Sequence, residues 1–180
     1  MFNISHLKST WEEFEDFAKD KNLSGKRVLD VGCRDDKDKE FFEQFGLEWT
    51  GTDKNPKEGS KYVIKAEMEM FGNDNPFLRK YDIIFVCHSL EHSENPLKAL
   101  KNIYNLLTQN GWLFISLPCY CKYHILDCLD DDHIFVFTKW QILKLLRYIG
   151  FEQIKIFNSK KGGYEGTKRY NMIAIGRKNE

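Results

Sequence analysis

Two carboxylates and a glycine near the start of the chain have the types and spacing of a nucleoside-binding site. The segment RVLDVGCRDD, residues 27–36, is a short apolar run that passes through Asp30 and ends at Gly32. A second run, WTGTDKNP, closes on Asp53, about 20 residues further along, which is the spacing that a ribose-binding acid needs. A glycine lets a ligand approach the main chain closely. The sequence therefore predicts a cofactor site at the ends of two strands.

Polar residues also end the next two apolar runs. YVIKAEMEMF ends near Glu67, and YDIIFVCHSLEH has His88 and Ser89 just after a strand. Ligands of open α/β sheets bind outside the carboxyl ends of the strands, so four strands would supply polar groups to one crevice. His88 either lines this site or packs at the end of its strand.

Alternating patterns predict the elements that must position these residues. Strand patterns alternate with helical patterns from residue 26, which favours an α/β fold with a mostly parallel sheet covered by helices. No helical pattern separates the last two strands, so we expect them to be antiparallel. The predicted strands are 27–32, 47–52, 61–66, 81–87, 111–117, 151–157 and 170–176, and the predicted helices are 36–45, 96–108 and 138–149.

Capping signals mark the ends of these helices. Asn95 and Pro96 have the types that begin a helix, and Asn110-Gly111 the types that end one. Thr138 with Gln141 resembles a capping box.

The 180 residues suit one domain, with a helical extension over 1–23 and an α/β core over 24–180. In the extension, Ser9 followed by Glu12 is the expected helix start.

Composition limits the class of partner. The chain has 27 basic and 27 acidic residues, so its charge does not favour nucleic acid or a membrane surface. No apolar run resembles a membrane span or a signal peptide, and a cytoplasmic protein is expected. The five cysteines are expected to be free thiols. The acidic run Asp130–Asp132 is interpreted as a solvated loop, and no metal site is predicted.

The ordered motifs resemble the class I S-adenosylmethionine-dependent methyltransferases, in particular the branch that acts on small molecules and on sugar- or lipid-linked acceptors. The resemblance covers residues 24–176. It implies a doubly wound, Rossmann-like sheet of seven strands, mostly parallel, with the last strand antiparallel. The segments that carry it are VLDVGC, TGTDKNP, YDIIFVCHSLEHSENPLKALKNIYNLLTQNGWLFISLP and DDHIFVFTKWQILKLLRYIGF.

The resemblance also implies roles by position. The first loop would hold the methionine end of the cofactor, the second strand end the ribose, the third the adenine, and the fourth the sulfonium. The implied cofactor-binding residues, in that order, are Asp30, Gly32, Cys33 and Arg34; Asp53 with Lys54; Glu67 and Met68; and Cys87, His88 and Ser89.

On the acceptor side, His133 matches a histidine of the resembling branch. It would act with His88 as a catalytic residue by taking a proton from the attacking hydroxyl, or it would only anchor its loop. His124, Tyr120 and Tyr123 are alternatives from the same segment.

The first loop departs from the family pattern at two glycine positions. Arg34 is expected to compensate by pairing with the carboxylate of the cofactor. Asp36 is expected to cap the following helix and point away from the site.

These observations predict methyl transfer to a small-molecule or sugar- or lipid-linked acceptor, at oxygen because no NPPY-like tetrapeptide follows the fourth strand. Two rivals remain: a non-catalytic binding module of the same fold, and a nicotinamide-dependent oxidoreductase, which should show G-x-G-x-x-G. Little sequence is available for a lid. The acceptor site is therefore expected to be open, or completed by the N-terminal helix or by a second subunit in a homodimer.

Overall fold

A seven-stranded sheet forms the centre of the molecule. The computed structural model describes residues 5–72, 80–119, 132–159 and 170–179, and for residues 5–7 and 170 it describes the backbone only. The strands are β1 (Arg27–Val31), β2 (Glu48–Asp53), β3 (Val63–Lys65), β4 (Tyr81–Cys87), β5 (Leu107–Cys119), β6 (Phe151–Asn158) and β7 (Tyr170–Lys178). The helices are α1 (Ser5–Ala18), α2 (Lys39–Glu43), α3 (Pro96–Leu106) and α4 (Lys139–Ile149).

The strand order confirms the predicted fold class. The sheet runs β3-β2-β1-β4-β5-β7-β6. The first five of these strands are parallel to their neighbours, and β7 pairs antiparallel with both β5 and β6. The chain reverses its direction of progress across the sheet between β1 and β4. Parallel α/β sheets bind their ligands at such a switch point, outside the carboxyl ends of the strands.

Two of the predicted helices have wrong boundaries. The 36–45 segment is a 3-10 turn at Asp36–Asp38 followed by the short α2. Helix α3 ends at Leu106, because the backbone from Leu107 onward pairs with β4. Asn110, whose φ is 62°, therefore lies at an irregularity inside β5 and does not end the helix.

The N-terminal helix also begins earlier than predicted. It starts at Ser5, so Ser9 lies in its second turn and does not cap it. Ser9 and Thr10 are buried, and both hydroxyls accept hydrogen bonds from the side-chain amide of Asn171 on β7. These two polar residues thus attach α1 to the sheet, because buried hydroxyls need hydrogen-bond partners.

Two apolar clusters cover the faces of the sheet. Helices α3 and α4 pack on one face through residues such as Leu100, Ile103 and Leu146, which are fully buried. Helices α1 and α2 cover the other face with an aromatic cluster around Phe14. Both clusters lie behind the carboxyl ends of the strands and hold those ends in fixed positions. No helix within the described part of the chain is long and apolar enough to span a bilayer.

Candidate cofactor and acceptor site

The turn after β1 depends on the absence of a side chain at Gly32. Gly32 has φ +79°, a conformation that residues with a Cβ adopt at a cost. A Cβ at this position would lie 2.4 Å from Cβ of Ser89. Ser89 itself is held in place, because its hydroxyl donates a 2.9 Å hydrogen bond to the carbonyl of Val31. The ends of β1 and β4 therefore meet at contact distance, and main chain faces the crevice.

The carboxylate of Asp53 is oriented by backbone amides. Its Oδ2 accepts a 2.9 Å hydrogen bond from the amide of Arg34, and its Oδ1 accepts a 2.7 Å bond from the amide of Asn55. Each carboxylate oxygen can accept a further bond. The side chain is thus prepared to receive two neighbouring hydroxyl groups, which is the chemistry that a ribose offers.

The first loop keeps a glycine-like backbone despite its substitutions. Arg34 has φ 62°, in the left-handed region, so arginine adopts the conformation that a glycine would supply. Such a conformation costs a non-glycine residue about 1 kcal/mol. The pairing of Arg34 with the cofactor carboxylate stays a prediction.

Asp36 lies outside the cavity as expected, but it does not cap the following helix. The cap of the following 3-10 turn is Asp35, whose carboxylate accepts a hydrogen bond from the amide of Lys37. Asp36 accepts hydrogen bonds from the amides of Lys61 and Tyr62 instead, at 2.9 and 3.2 Å. It ties the first loop to the segment before β3 and does not line the cavity. The predicted capping role of Asp36 is therefore wrong.

A cavity of about 1110 Å³ adjoins these strand ends. All eleven residues predicted to bind the cofactor line it, so the sheet brings them together as the topology requires. The cavity is also lined by residues without a predicted role, among them Trp11 of α1 and His92. The lining residues with predicted roles are Asp30, Gly32, Cys33, Arg34, Asp53, Lys54, Glu67, Met68, Cys87, His88 and Ser89. Their individual contacts with the cofactor stay predictions.

The inner wall of the cavity is acidic. Asp30 is 1% exposed, and its Oδ2 accepts a 3.2 Å hydrogen bond from the indole of Trp49. Burial, and secondly the charge of Asp38, raises the pKa of Asp30 well above its ordinary value. Burial, and secondly the charge of Asp35, raises the pKa of Asp38 to about 7. Burial also raises the pKa of the Cys33 and Cys87 thiols, which disfavours their thiolate forms.

His88 connects the cavity to the N-terminal helix. Its φ is 47°, and its Nε2 lies 3.1 Å from Oδ1 of Asn171. The amide nitrogen of Asn171 donates to Ser9 and Thr10, so its oxygen faces His88, whose Nε2 then carries a proton. The imidazole is 19% exposed at the cavity wall. The N-terminal helix thus helps to hold a side chain of the site.

His133 lies behind the cavity wall. Its side chain is 7% exposed, and its Nε2 lies 4.0 Å from Oε1 of the buried Glu91. The amides of the next two residues, Ile134 and Phe135, donate to the carbonyl of Glu91. These contacts are those of an anchoring residue, which was the alternative left open for His133. Its catalytic role stays a prediction.

His92 is a functional candidate that sequence reasoning missed. It lines the cavity, and its Nδ1 lies 2.9 Å from the carbonyl oxygen of Asp132. A carbonyl can only accept, so Nδ1 carries the proton and Nε2 is the basic nitrogen of the neutral ring. The ring of His133 packs edge-on against it, with 4.7 Å between centroids. The sequence shows the segment Leu90-Glu91-His92. The tautomer of His92, however, depends on the carbonyl of Asp132, which lies 40 residues further along the chain.

Glu91, His92 and His133 form a compact group of potential metal ligands. Each offers one ligand atom, and these atoms lie within 4.8 Å of one another. Both carboxylate oxygens of Glu91 are buried and accept no hydrogen bond from the described residues. Burial raises the pKa of Glu91 to about 8, which favours the neutral acid near pH 7. The prediction of no metal site stays a prediction.

Several predictions concern residues outside the described part of the chain. These are the acceptor-side alternatives Tyr120, Tyr123 and His124, the thiols of Cys121 and Cys128, the acidic residues Asp130 and Asp131, and the connection between β6 and β7. The other three cysteines, Cys33, Cys87 and Cys119, are free thiols as predicted.

Comparison with known proteins identifies the family. The model of the methyltransferase domain family matches residues 4–156. The chain belongs to this methyltransferase family. The family that the sequence motifs predicted is therefore confirmed.

Relatives of this methyltransferase domain carry more specific names. A ubiquinone biosynthesis O-methyltransferase of Vibrio cholerae is 33% identical over 106 residues, which are 52% of this chain and 42% of the relative. The alignment thus spans less than half of that protein.

Solved structures share the fold at lower sequence identity. A S-adenosylmethionine-dependent methyltransferase from Archaeoglobus fulgidus has a TM-score of 0.73 at 19% identity, with 95% of this chain and 94% of that chain covered. A phosphoethanolamine N-methyltransferase of Haemonchus contortus, in complex with S-adenosylhomocysteine, has a TM-score of 0.72 at 15% identity, with 94% and 53% covered. At these identities the likeness concerns the fold alone.

Proposed function

We propose that this chain is an S-adenosylmethionine-dependent methyltransferase that methylates a small-molecule acceptor at oxygen. The observation that carries the proposal is the pairing of a side-chain-free turn at Gly32 with an amide-held carboxylate at Asp53, on neighbouring strands of one cavity. These two features match the main-chain approach and the ribose contact that the cofactor needs. Membership of the methyltransferase family supports the same conclusion.

Residues of the chain would contribute mainly by positioning. S-adenosylmethionine, held by the cavity residues, would supply an activated methyl group to the acceptor hydroxyl. Holding the two reactants at attack distance lowers the barrier most. Cys87, His88 and Ser89 line the cavity beside the predicted methionine end, with Trp11 from α1. A wall of this kind limits water near the reacting carbon.

The proton of the acceptor hydroxyl needs a base within reach. We propose His92 for this role, because it lines the cavity and its hydrogen bond to Asp132 leaves Nε2 unprotonated in the neutral ring. His133 is a weaker candidate, since its side chain is 7% exposed and faces Glu91.

Methylation at oxygen has support from the curated relatives, which are named O-methyltransferases. The acceptor itself belongs to the proposal only as a class: a small molecule, or a sugar- or lipid-linked group, with a hydroxyl that must lose a proton.

A methyl-transfer screen with radiolabelled S-adenosylmethionine tests the proposal. Quinols and other phenols, sugars, fatty acids and small amines are incubated with the protein, and labelled products are separated. We expect label on a hydroxyl compound and none on the amines. His92→Gln should lower kcat at least about tenfold while cofactor affinity stays within twofold. Transfer only to amines, or binding of the cofactor with no transfer to any acceptor, would contradict the oxygen acceptor or favour the binding module.

We further propose a cytoplasmic protein whose acceptor site is open or is completed across a homodimer. The support for an open or shared site is the exposed apolar side chains of Ile134, which also lines the cavity, and of Phe135. Sedimentation equilibrium distinguishes the arrangements, since a monomer with full activity would count against the dimer.

A further inference from the structure

Asp38 is a cavity-lining carboxylate that no predicted role accounts for. It precedes α2 in the position of an N-cap, yet its side chain makes no capping hydrogen bond. It forms no ion pair with a described basic residue, although its neighbour Asp35 pairs with Lys37 and Lys57. A half-buried carboxylate without a hydrogen bond or a partner of opposite charge is unfavourable in the free protein.

A second carboxylate faces the same part of the cavity. Asp30 is 1% exposed, and the hydrogen bonds of the described residues reach only its Oδ2, from Trp49. Asp30 lines the cavity together with Asp38. Burial raises the pKa of Asp30 most and the charge of Asp38 raises it further, so the two carboxylates lie close enough to repel each other. Two acids held together in this way favour a cation between them.

The cofactor carries two positive groups, an ammonium on its amino-acid portion and a sulfonium. An ammonium has three N–H donors and can bond two carboxylates at once, whereas a sulfonium has none. The loop that holds Asp38 follows β1, where the methionine end is predicted. Resting on the proposed function, we propose that Asp38, together with Asp30, binds the α-ammonium group of S-adenosylmethionine.

The surroundings of Asp38 make this contact sensitive to pH. Burial raises the pKa of Asp38 most, the charge of Asp35 raises it further, and Lys37 lowers it. Asp30 lines the same cavity. Because the pKa of Asp38 is about 7, the carboxylate is largely protonated below neutral pH. Cofactor affinity should therefore rise between pH 5.5 and pH 7, a range in which an α-ammonium, with a pKa of about 7.7–8.0, remains charged.

Three ligands separate the groups of the cofactor. S-adenosylmethionine has both cations, S-adenosylhomocysteine has the ammonium only, and 5′-methylthioadenosine has neither. Titration calorimetry of the wild type and of Asp38→Asn is carried out with each ligand at pH 7. We expect Asp38→Asn to weaken the first two by a similar factor of about 10–100 and the third by less than twofold. Its affinity for S-adenosylhomocysteine should also lose the pH dependence that Asp38 contributes.

Glu40→Gln is the matched control. Glu40 lies two residues further on, is exposed on α2 and does not line the cavity, so this change removes the same charge from the same segment. We expect it to leave all three affinities within twofold of the wild type. Circular dichroism checks that each variant is folded.

The titration results distinguish failure of the proposed function from failure of the proposed role of Asp38. If the wild type binds none of the three ligands, the proposed function fails and the ammonium contact fails with it. If the wild type binds but Asp38→Asn binds the first two equally well, only the role of Asp38 is wrong. Equal weakening of 5′-methylthioadenosine would indicate a structural defect, and weakening of S-adenosylmethionine alone would assign Asp38 to the sulfonium. Both results would overturn the proposal.

Discussion

At the residue scale, the site depends on a contact between two strand ends. Gly32 leaves room for Ser89, which in turn bonds the carbonyl of Val31. The same turn presents Asp53, through the amide of Arg34, to the cavity. A small change at Gly32 should therefore affect both the stability of the fold and the binding of the cofactor.

Replacement of Gly32 by alanine tests this contact. The new Cβ would lie 2.4 Å from Cβ of Ser89, so β4 or the turn must move. We expect Gly32→Ala to lower the free energy of unfolding by about 2–4 kcal/mol in urea denaturation and to weaken cofactor binding.

Gly59→Ala provides the matched control. Gly59 also has a positive φ, +88°, but a Cβ there would meet nothing within 4 Å. The control carries the conformational cost alone, about 1 kcal/mol. Equal losses in the two variants would show that the contact with Ser89 contributes nothing.

The raised pKa of Asp38 also predicts how stability depends on pH. The pKa rises from 3.8 to about 7 on folding, so the native state binds a proton that the unfolded state releases above pH 4. The free energy of unfolding must then fall as pH rises from about 4 to about 7.

Asp38→Asn should remove the part of this decrease in the free energy of unfolding that Asp38 contributes. In thermal unfolding of the cofactor-free protein, we expect the variant to gain Tm relative to the wild type between pH 4.5 and pH 7.5. A constant difference in Tm across this range would contradict the raised pKa. Residues that bind a ligand often destabilise the free protein, so we expect the Asp38→Asn variant to be more stable and to bind the cofactor less well.

At the element scale, local signals determine some boundaries and long-range pairing determines others. The Thr138 capping box was predicted from sequence and is present, with the hydroxyl accepting from the amide of Gln141 and the Gln141 side chain accepting from the amide of Thr138. The end of α3 was not predicted correctly. Pairing of Leu107 with Tyr81 of β4 ends that helix, and no residue near Asn110 encodes this pairing.

The capping box gives a prediction for α4. Thr138→Ala removes the side-chain acceptor at the N-terminus of the helix, so we expect a loss of about 1 kcal/mol in the free energy of unfolding. Thr138→Ser keeps the hydroxyl and should lose less than half as much. Chemical denaturation measures both, and a Ser variant as unstable as the Ala variant would rule out the cap as the cause.

In the candidate site, too, local sequence signals predicted some features and long-range contacts determined others. The motifs located eleven residues that the structure brings to one cavity, because strand ends are encoded locally and parallel strands collect them at one edge. Their contacts with the cofactor stay predictions. The contacts of Asp36 with the amides of Lys61 and Tyr62 and the tautomer of His92 were not predictable, since each depends on groups that approach from distant segments.

At the scale of the whole molecule, the N-terminal helix is part of the same unit as the sheet. We propose that the extension 1–23 and the core 24–180 fold as one domain. Phe14 of α1 is fully buried, and its ring packs edge-on against those of Phe42, Phe85 and Phe114. The helix also supplies Trp11 to the cavity and holds Asn171 beside His88.

Replacement of Phe14 by alanine tests whether α1 and the sheet unfold together. We expect Phe14→Ala to cost about 3–5 kcal/mol of the free energy of unfolding, in a single cooperative transition. Tyr148→Ala, at a ring that is 71% exposed on α4, is the control and should cost less than about 0.5 kcal/mol. An early separate transition in Phe14→Ala would indicate that α1 folds independently of the core.

The most direct test of the central claim is calorimetric titration of the wild type and Asp53→Ala with S-adenosylmethionine and with NAD. Asp53 holds the loop through the amide of Arg34 and faces the predicted ribose. We predict one binding site per chain for S-adenosylmethionine, none for NAD, and a loss of affinity of at least about tenfold in the variant. Binding of NAD alone, or of neither cofactor, would contradict the account.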